Sequence, residues 1–317
     1  MVASPSVPPR PPSRLVLGTV QFGMDYGVAN RTGRPPYPVV REIIREACAG
    51  GADVLDTAPA YGGSEEWIGR ALRELGLGER VRVATKIAPL PPDLSRPEAA
   101  RLIEGSVIDS LRRLGLEQIP FCLFHREANL AYADELLALR ARGLVGTAGV
   151  SLVSPGGAAT ALRIPELAFW QIPSNLFDRR FTHSGLAAAA RAAGIAVAVR
   201  SVYLQGLLLM DDAATPPHLR GVIPARQQLR ELASRFGLSL GELALRAMLS
   251  RPDVTSLVVG METVAQAREN VALFARGPLP PEILAAIAAF DPNLPESVVS
   301  PTEWEKARAE YEALARP

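Results

Sequence analysis

Short apolar runs alternate along this chain with longer stretches in which apolar positions recur every three or four residues. The short runs occupy residues 15–18, 54–56, 81–86, 121–125, 145–151, 167–171, 195–200 and 256–260, and they read as strands. The longer stretches at 39–49, 65–75, 99–114, 133–141, 186–193, 225–236 and 240–250 read as amphipathic helices. Glycine stands where several of these should stop, at Gly50, Gly51, Gly76, Gly143 and Gly194. A further helix is predicted over 263–274, directly after the eighth strand, and a helical extension over 282–290 and 303–314.

Eight apolar strands separated by helices imply a parallel sheet with both faces covered. Such a sheet either stays open and doubly wound or closes on itself. An open dinucleotide-binding sheet usually carries G-x-G-x-x-G after its first strand, and none follows here. The expected fold is therefore an α/β (β/α)8 TIM barrel, eight parallel strands with a C-terminal helical extension. Residues 14–317 would form that single domain. Residues 1–13, with five prolines, read as a flexible Pro-rich tail with too little apolar surface to order itself.

Composition narrows the partners. The 34 basic and 33 acidic side chains leave a net charge of +1, which gives no reason to expect nucleic acid or an anionic membrane. The longest apolar runs are strand-sized, and the N-terminus has no secretion-signal core. A cytoplasmic protein, monomeric or weakly homo-oligomeric and acting on a small molecule, is expected. Cys48 and Cys122 lie in apolar stretches and are expected to be buried, reduced thiols. His183 and His218 are isolated in the sequence, so no metal cluster is expected.

A barrel carries its chemistry at the C-terminal ends of its strands. Here polar residues close apolar runs: Asp56 on strand two, Lys86 on three, His125 on four, Ser151 on five and Gln171 on six. Tyr61 follows on the loop Asp56-Thr57-Ala58-Pro59-Ala60-Tyr61-Gly62. Singly, such an Asp is more often a helix cap, such a Lys a solvated group and such a His a structural one. Converging on one rim they make a proton-donating site. A free tyrosine is a weak acid near neutrality, and an adjacent ammonium favours its phenolate. Lys86 could supply that charge, Asp56 could hold Lys86, and His125 could hydrogen-bond a carbonyl oxygen and align it with Tyr61. The set has no nucleophile–base pair; what it lacks is a hydride donor.

At these residues the chain resembles the aldo-keto reductase family, from about Leu15 to Asn270. Leu17-Gly18-Thr19-Val20-Gln21-Phe22-Gly23 is similar to the family's first strand and loop. Asp56-Thr57-Ala58-x-x-Tyr61-Gly62 with Ser64-Glu65-x-x-Ile68-Gly69 is similar to its strongest signature, and Ala84-Thr85-Lys86 and the run ending in His125 complete an Asp, Tyr, Lys and His tetrad. The resemblance implies reversible reduction of an aldehyde or ketone by NADP(H) or NAD(H), with Tyr61 as the acid. It further implies that Ser151 and Gln171 (in Gln171-x-x-x-Asn175) contact the nicotinamide carboxamide. Val259, Gly260, Met261, Glu262 and Thr263, with Gln266, Glu269 and Asn270, would hold the adenosine part, the helix N-terminus there receiving phosphate. Gly18, Thr19, Asp56, Arg200, Ser201 and Gly206 complete the implied cofactor contacts.

Three positions depart from the family pattern. Leu152 stands where an asparagine is usual, so one carboxamide contact is missing. Arg200 stands where an aromatic ring commonly stacks on the nicotinamide; a guanidinium can also stack, or can face the substrate or a phosphate instead. Glu262 stands where many relatives carry a base for the 2′-phosphate. Either it favours the ribose hydroxyls of NADH, or it points to solvent and a basic group elsewhere serves NADPH. Phe22, Met24, Asp25, Tyr26, Asn30, Tyr203 and Gln205 are candidate pocket residues. Trp170 is as readily core as pocket, Trp67 is expected to pack a helix on the barrel, and Arg126 and Arg200 could attract an anionic carbonyl compound, Arg126 being as readily a surface salt-bridge former. A sugar or other hydroxylated aldehyde fits this polarity. Two other functions fit the same residues: a cofactor-binding redox sensor with little turnover, and a barrel lyase or isomerase using Lys86 as a Schiff base.

Overall fold

The computed structural model describes residues 12–314. Eight strands, β1 (Leu15–Gly18), β2 (Val54–Asp56), β3 (Arg82–Lys86), β4 (Ile119–Phe124), β5 (Val145–Ser151), β6 (Phe169–Pro173), β7 (Ala196–Arg200) and β8 (Ser256–Gly260), pair in chain order, all parallel. β1 also pairs with β8, so the sheet closes into the expected barrel. Closure leaves no open edge, and each backbone row finds a partner.

The two faces of each strand bury into different cores. Val16, Val54, Ala84, Phe121, Leu123, Phe169, Ala198 and Val258 form one cluster inside the barrel, with the Phe121 and Phe169 rings 5.0 Å apart. Their sequence neighbours, among them Leu15, Leu17, Leu55, Val83, Cys122, Trp170 and Val197, belong to the larger cluster between strands and helices. Trp170 is thus core, resolving the choice left open by its sequence position. Trp67 packs edge-on against Tyr37, with the Arg34 guanidinium 5.1 Å from its ring centroid, half-buried on the outer helices.

Several boundaries differ from the sequence expectation for local reasons. The helix Arg96–Leu114 starts three residues early because Ser95 and Glu98 form a capping box with Pro97 in the first turn. A helix, Pro155–Ala161, forms on a Pro-Gly-Gly sequence that reads as loop. Ser154 caps it by accepting from the Gly157 N–H, while Glu127 accepts from the N–H groups of Val153 and Ser154. β4 ends at Phe124, leaving His125 just beyond it, and β6 runs past Gln171 to Pro173.

The C-terminal extension contains Pro281–Ala288 and Trp304–Leu314, the latter tethered where Trp304 Nε1 donates to Val298 O at 3.0 Å. Most of the expected tail lies outside the described residues. Ser13, assigned to that tail, is instead tied to the barrel: its N–H donates to Asp53 Oδ1 at 2.8 Å, and its carbonyl accepts from Ser256 Oγ. Both cysteines are free; Cys122 is buried and Cys48 half-buried. No helix is long and apolar enough to cross a membrane. Among the described residues no group of three or more His, Cys, Asp or Glu side chains is placed to hold a metal.

Candidate active site

Strand alternation explains which side chains meet at the barrel's C-terminal mouth. Residues two apart on a strand share a face. Counting two on from the interior residues Val16, Val54, Ala84, Leu123, Phe169, Ala198 and Val258 reaches Gly18, Asp56, Lys86, His125, Gln171, Arg200 and Gly260. The apolar interior therefore ends in one polar layer, to which the loop after β2 adds Tyr61.

Lys86 and Asp56 are the most shielded ion pair in that layer, with side chains 2% and 7% exposed. The ammonium donates to Asp56 Oδ1 at 2.9 Å, to Oδ2 at 3.0 Å and to Thr57 O at 2.9 Å. Burial opposes its charge, but the Asp56 carboxylate and the Tyr61 phenol together outweigh burial and raise the Lys86 pKa. Lys86 therefore carries its proton at neutral pH, which is unfavourable for a Schiff-base nucleophile. Its Nζ lies 5.1 Å from the centroid of the Tyr61 ring.

Tyr61 is held by main-chain packing. Its carbonyl accepts from Ser64 N at 3.1 Å, and Ser64 Oγ donates to Thr19 O on the opposite side of the turn. Gly23 presses against that carbonyl so closely that an added Cβ would sit 1.6 Å from Tyr61 O. Gly62, at φ +53°, is equally confined, because its Cβ would come within 2.4 Å of Gly23 O. Gly23→Ala should therefore move the Tyr61 backbone. We expect kcat/KM for carbonyl reduction to fall about 100-fold, the cost of a displacement near 1 Å at a reacting group, with a lower thermal midpoint. Unchanged values of both would mean that the turn yields without moving the tyrosine.

His125 stands edge-on to Tyr61, ring centroids 5.8 Å apart and planes at 86°. Burial, then the charges of Lys86, Arg200 and Arg126, lowers its pKa from 6.5 to about 3. At neutral pH the imidazole is uncharged and can donate one N–H to a substrate oxygen. The same shift links folding to pH. The unfolded chain takes up a proton here below about pH 6.5 and the folded chain only near pH 3, so stability is lost as pH falls through that window. Urea midpoints of the wild type should thus drop more steeply than those of His125→Asn from neutrality to about pH 4. Parallel curves would show that His125 makes no such contribution.

These groups line a cavity of about 750 Å³. Gly18, Thr19, Ser151, Arg200, Ser201, Gly206, Val259, Gly260, Glu262, Gln266, Glu269 and Asn270 reach it, as do Tyr26, Arg126, Tyr203 and Gln205. Three of the expected cofactor residues do not line it. Gln171 is fully buried within the layer, donating from Nε2 to Asp56 Oδ1, and its Oε1 has no partner among the described residues. Met261 is fully buried, and the Thr263 hydroxyl caps the helix Val264–Ala275. That cap engages the N–H groups of Glu262, Thr263 and Gln266, which narrows the phosphate-holding capacity of this terminus to Val264 and Ala265. Of the other pocket candidates, Phe22 is core, Met24 and Asp25 are exposed, and Asn30 braces its own loop through Tyr26 O and Gly33 O.

The loop after β7 has an unusual backbone. Ser201, Leu204 and Gln205 have φ of +64°, +50° and +54°, a left-handed region unfavourable for residues with a Cβ. The strain is held in place from both sides. Asn175 Nδ2 donates to Ser201 O at 3.1 Å, and Ala29 N donates to Gln205 O at 3.3 Å. Gly206 lies so near Ala29 that a Cβ would approach Ala29 Cβ to 2.4 Å. The loops after β1 and β7 thus meet over the cavity, and they bring in Arg31 and Asp211, which sequence reasoning did not single out. Gln21 was likewise missed as a site residue: it lines the cavity with its amide against Gly260. No periodicity marks a side chain placed by a single irregular turn.

Comparison with known proteins agrees with this geometry. The sequence pattern of the Aldo/keto reductase family matches residues 14–292. The chain is 27% identical over 300 residues to an NADH-specific methylglyoxal reductase of Escherichia coli (strain K12), covering 82% of this chain and 89% of that one. It is 27% identical over 269 residues to an L-glyceraldehyde 3-phosphate reductase of the same strain, covering 73% and 77%. Among solved structures it superposes on the glycerol dehydrogenase AKR11B4 from Gluconobacter oxydans with a TM-score of 0.72 at 25% identity, covering 94% and 95%. The holo aldo-keto reductase AKR11C1 from Bacillus halodurans shares the fold, with a TM-score of 0.74 at 22% identity over 91% and 96%.

Proposed function

This chain belongs to the aldo/keto reductase family, and we propose that it reversibly reduces a small polar aldehyde or ketone to the alcohol, with Tyr61 as general acid. The observation that carries this reading is the meeting of Tyr61, the buried Lys86–Asp56 pair and a neutral His125 in one cavity. A bound nicotinamide would supply the hydride to the carbonyl carbon. His125 donates a hydrogen bond to the carbonyl oxygen and fixes its direction. Tyr61 delivers its phenolic proton to that oxygen, and the Lys86 ammonium stabilises the negative charge left on the phenol. Asp56 keeps Lys86 charged and in place; solvent then returns a proton to Tyr61. Hydroxylated aldehydes suit the polar lining, and the glyceraldehyde 3-phosphate, methylglyoxal and glycerol named for its relatives are all small oxygenated compounds.

The residues present fit a dinucleotide. Gly260 and Gly18 leave room where a Cβ would meet Gln21 and Val258, and Gln171 offers a buried acceptor without a partner. At the β8 end the lining residues Glu262, Gln266, Glu269 and Asn270 include two acids and no base. Burial raises the Glu262 pKa, outweighing the Gln266 hydrogen bond that lowers it. A carboxylate here disfavours a 2′-phosphate and accepts from ribose hydroxyls. We therefore assign NADH as the preferred cofactor, in line with the NADH-specific relative.

The experiment is titration of the protein with NADH and NADPH by fluorescence, followed by absorbance assays with an activated aromatic aldehyde. Oxidation of NADH faster than NADPH is expected, and Glu262→Lys should shift the kcat/KM ratio toward NADPH by roughly tenfold, the scale of one charged hydrogen bond. Cofactor binding without turnover across several aldehydes would instead favour a redox sensor.

A further inference from the structure

We propose that Arg200 binds an anionic group of the substrate, a carboxylate or a phosphate, so that the preferred substrates are aldehydes or ketones carrying a negative charge close to the carbonyl. The inference rests on the reductase reading and specifies its substrate class. Arg200 ends β7 in the same inward layer as Asp56, Lys86 and His125, and it lines their cavity half-buried. Its hydrogen bonds go to uncharged acceptors, Leu152 O at 3.1 Å and Ser201 Oγ at 3.5 Å. Its Nε is buried with no partner, the one such guanidinium nitrogen among the described residues.

Other shielded arginines in this chain do not share that condition. Arg226 pairs with Asp212 at 2.7 Å, Arg180 with Asp178 at 2.8 Å, Arg251 with Asp253 at 2.6 Å and Arg113 with Glu65 at 2.6 Å. Half-buried Arg179, which forms no ion pair among the described residues, donates to two main-chain carbonyls, Leu176 O and Ile287 O. A half-buried guanidinium with a shielded, unpaired Nε and one good neutral bond is completed by an anion. Its planar fork matches carboxylate and phosphate oxygens in pairs.

The departure at Leu152 belongs to the same arrangement. An apolar side chain there contributes no acceptor, and only its carbonyl anchors the guanidinium. Arg126 adds a second positive group lining the same cavity, exposed and without an ion-pair partner among the described residues. Both arginines act on His125 electrostatically, and Arg200 also acts on Tyr26, which places their field at the reacting centre. That position distinguishes a substrate anion from the cofactor's pyrophosphate, whose expected cradle is the start of the helix Val264–Ala275.

The test compares wild type, Arg200→Met and Arg200→Lys on matched pairs, glyceraldehyde 3-phosphate against glyceraldehyde and succinic semialdehyde against butanal. Wild type should favour the charged member of each pair by roughly 10- to 100-fold in kcat/KM, as for a charge-assisted hydrogen bond. Arg200→Met should bring each pair near parity, chiefly through KM, and Arg200→Lys should restore part of the preference. Equal use of both members by wild type overturns the proposal. So does an Arg200→Met protein that keeps its charge preference but loses NADH affinity, because the guanidinium then serves the cofactor. If no aldehyde oxidises either cofactor, the reductase reading fails. Calorimetric titration of the protein with glycerol 3-phosphate against glycerol still decides the anion site: phosphate-dependent binding lost in Arg200→Met upholds it, and absence of such binding overturns it.

Discussion

Replacing Tyr61 with phenylalanine should lower the rate of carbonyl reduction by roughly 10²- to 10⁴-fold, the usual contribution of a positioned general acid. The substitution removes one oxygen from the cavity and keeps the ring that stands against His125 and Lys86. The turn holding the residue is fixed through main-chain atoms of Tyr61, Ser64 and Gly23, none of which changes. Cofactor titration followed by fluorescence should therefore show binding close to that of wild type, with the deficit confined to turnover. Single-turnover absorbance measurements at saturating cofactor would read the chemical step directly. Wild-type turnover in the variant would assign the proton to another donor, and of the two other phenols lining the cavity Tyr26, which interacts electrostatically with Tyr61 and Lys86, would be the first to examine.

The second large effect separates stability from chemistry in the Asp56–Lys86 pair. Lys86→Met leaves a buried carboxylate with the Gln171 amide as its one side-chain partner among the described residues. Breaking a buried pair on one side is expected to cost about 3–5 kcal/mol. Asp56→Asn should be costly in the same way, since it leaves the ammonium without its counter-charge. The double variant Asp56→Asn/Lys86→Met removes both charges and should recover much of the lost stability in urea unfolding. Activity should not recover in the double variant, because it lacks the Lys86 charge beside Tyr61. Additive destabilisation would show that the two groups are stabilised independently. Recovery of activity would remove Lys86 from the proton-transfer scheme.

How far the site could be read in advance differs from residue to residue. Asp56, Lys86 and His125 each interrupt an apolar alternation at a strand end, and Tyr61 follows Asp56 on a short loop. These are local signals, and the structure brings all four to one cavity. Gln171 carries the same signal, yet β6 continues past it and its side chain is fully buried with Nε2 bonded to Asp56, so it does not itself line the cavity. Met261 and Thr263 sit in a segment that does line the site, but one side chain joins the core and the other is used by the capping box. A helix on Pro-Gly-Gly could not be anticipated, since it depends on Glu127 from a distant part of the chain.

Sequence alone determined the order of strands and helices, the parallel closed sheet and the polar strand-end residues proposed to donate the proton, because each follows from periodicity or from residue types at neighbouring positions. Tertiary structure decided what depends on contacts between remote loops. The Gly23 packing that holds Tyr61, the meeting of Ala29 with Gln205 and Gly206, and the surroundings of Arg200, which has no ion-pair partner among the described residues, all depend on segments remote in the chain. A charge becomes informative once its surroundings are known, and those surroundings are assembled from every strand of the barrel.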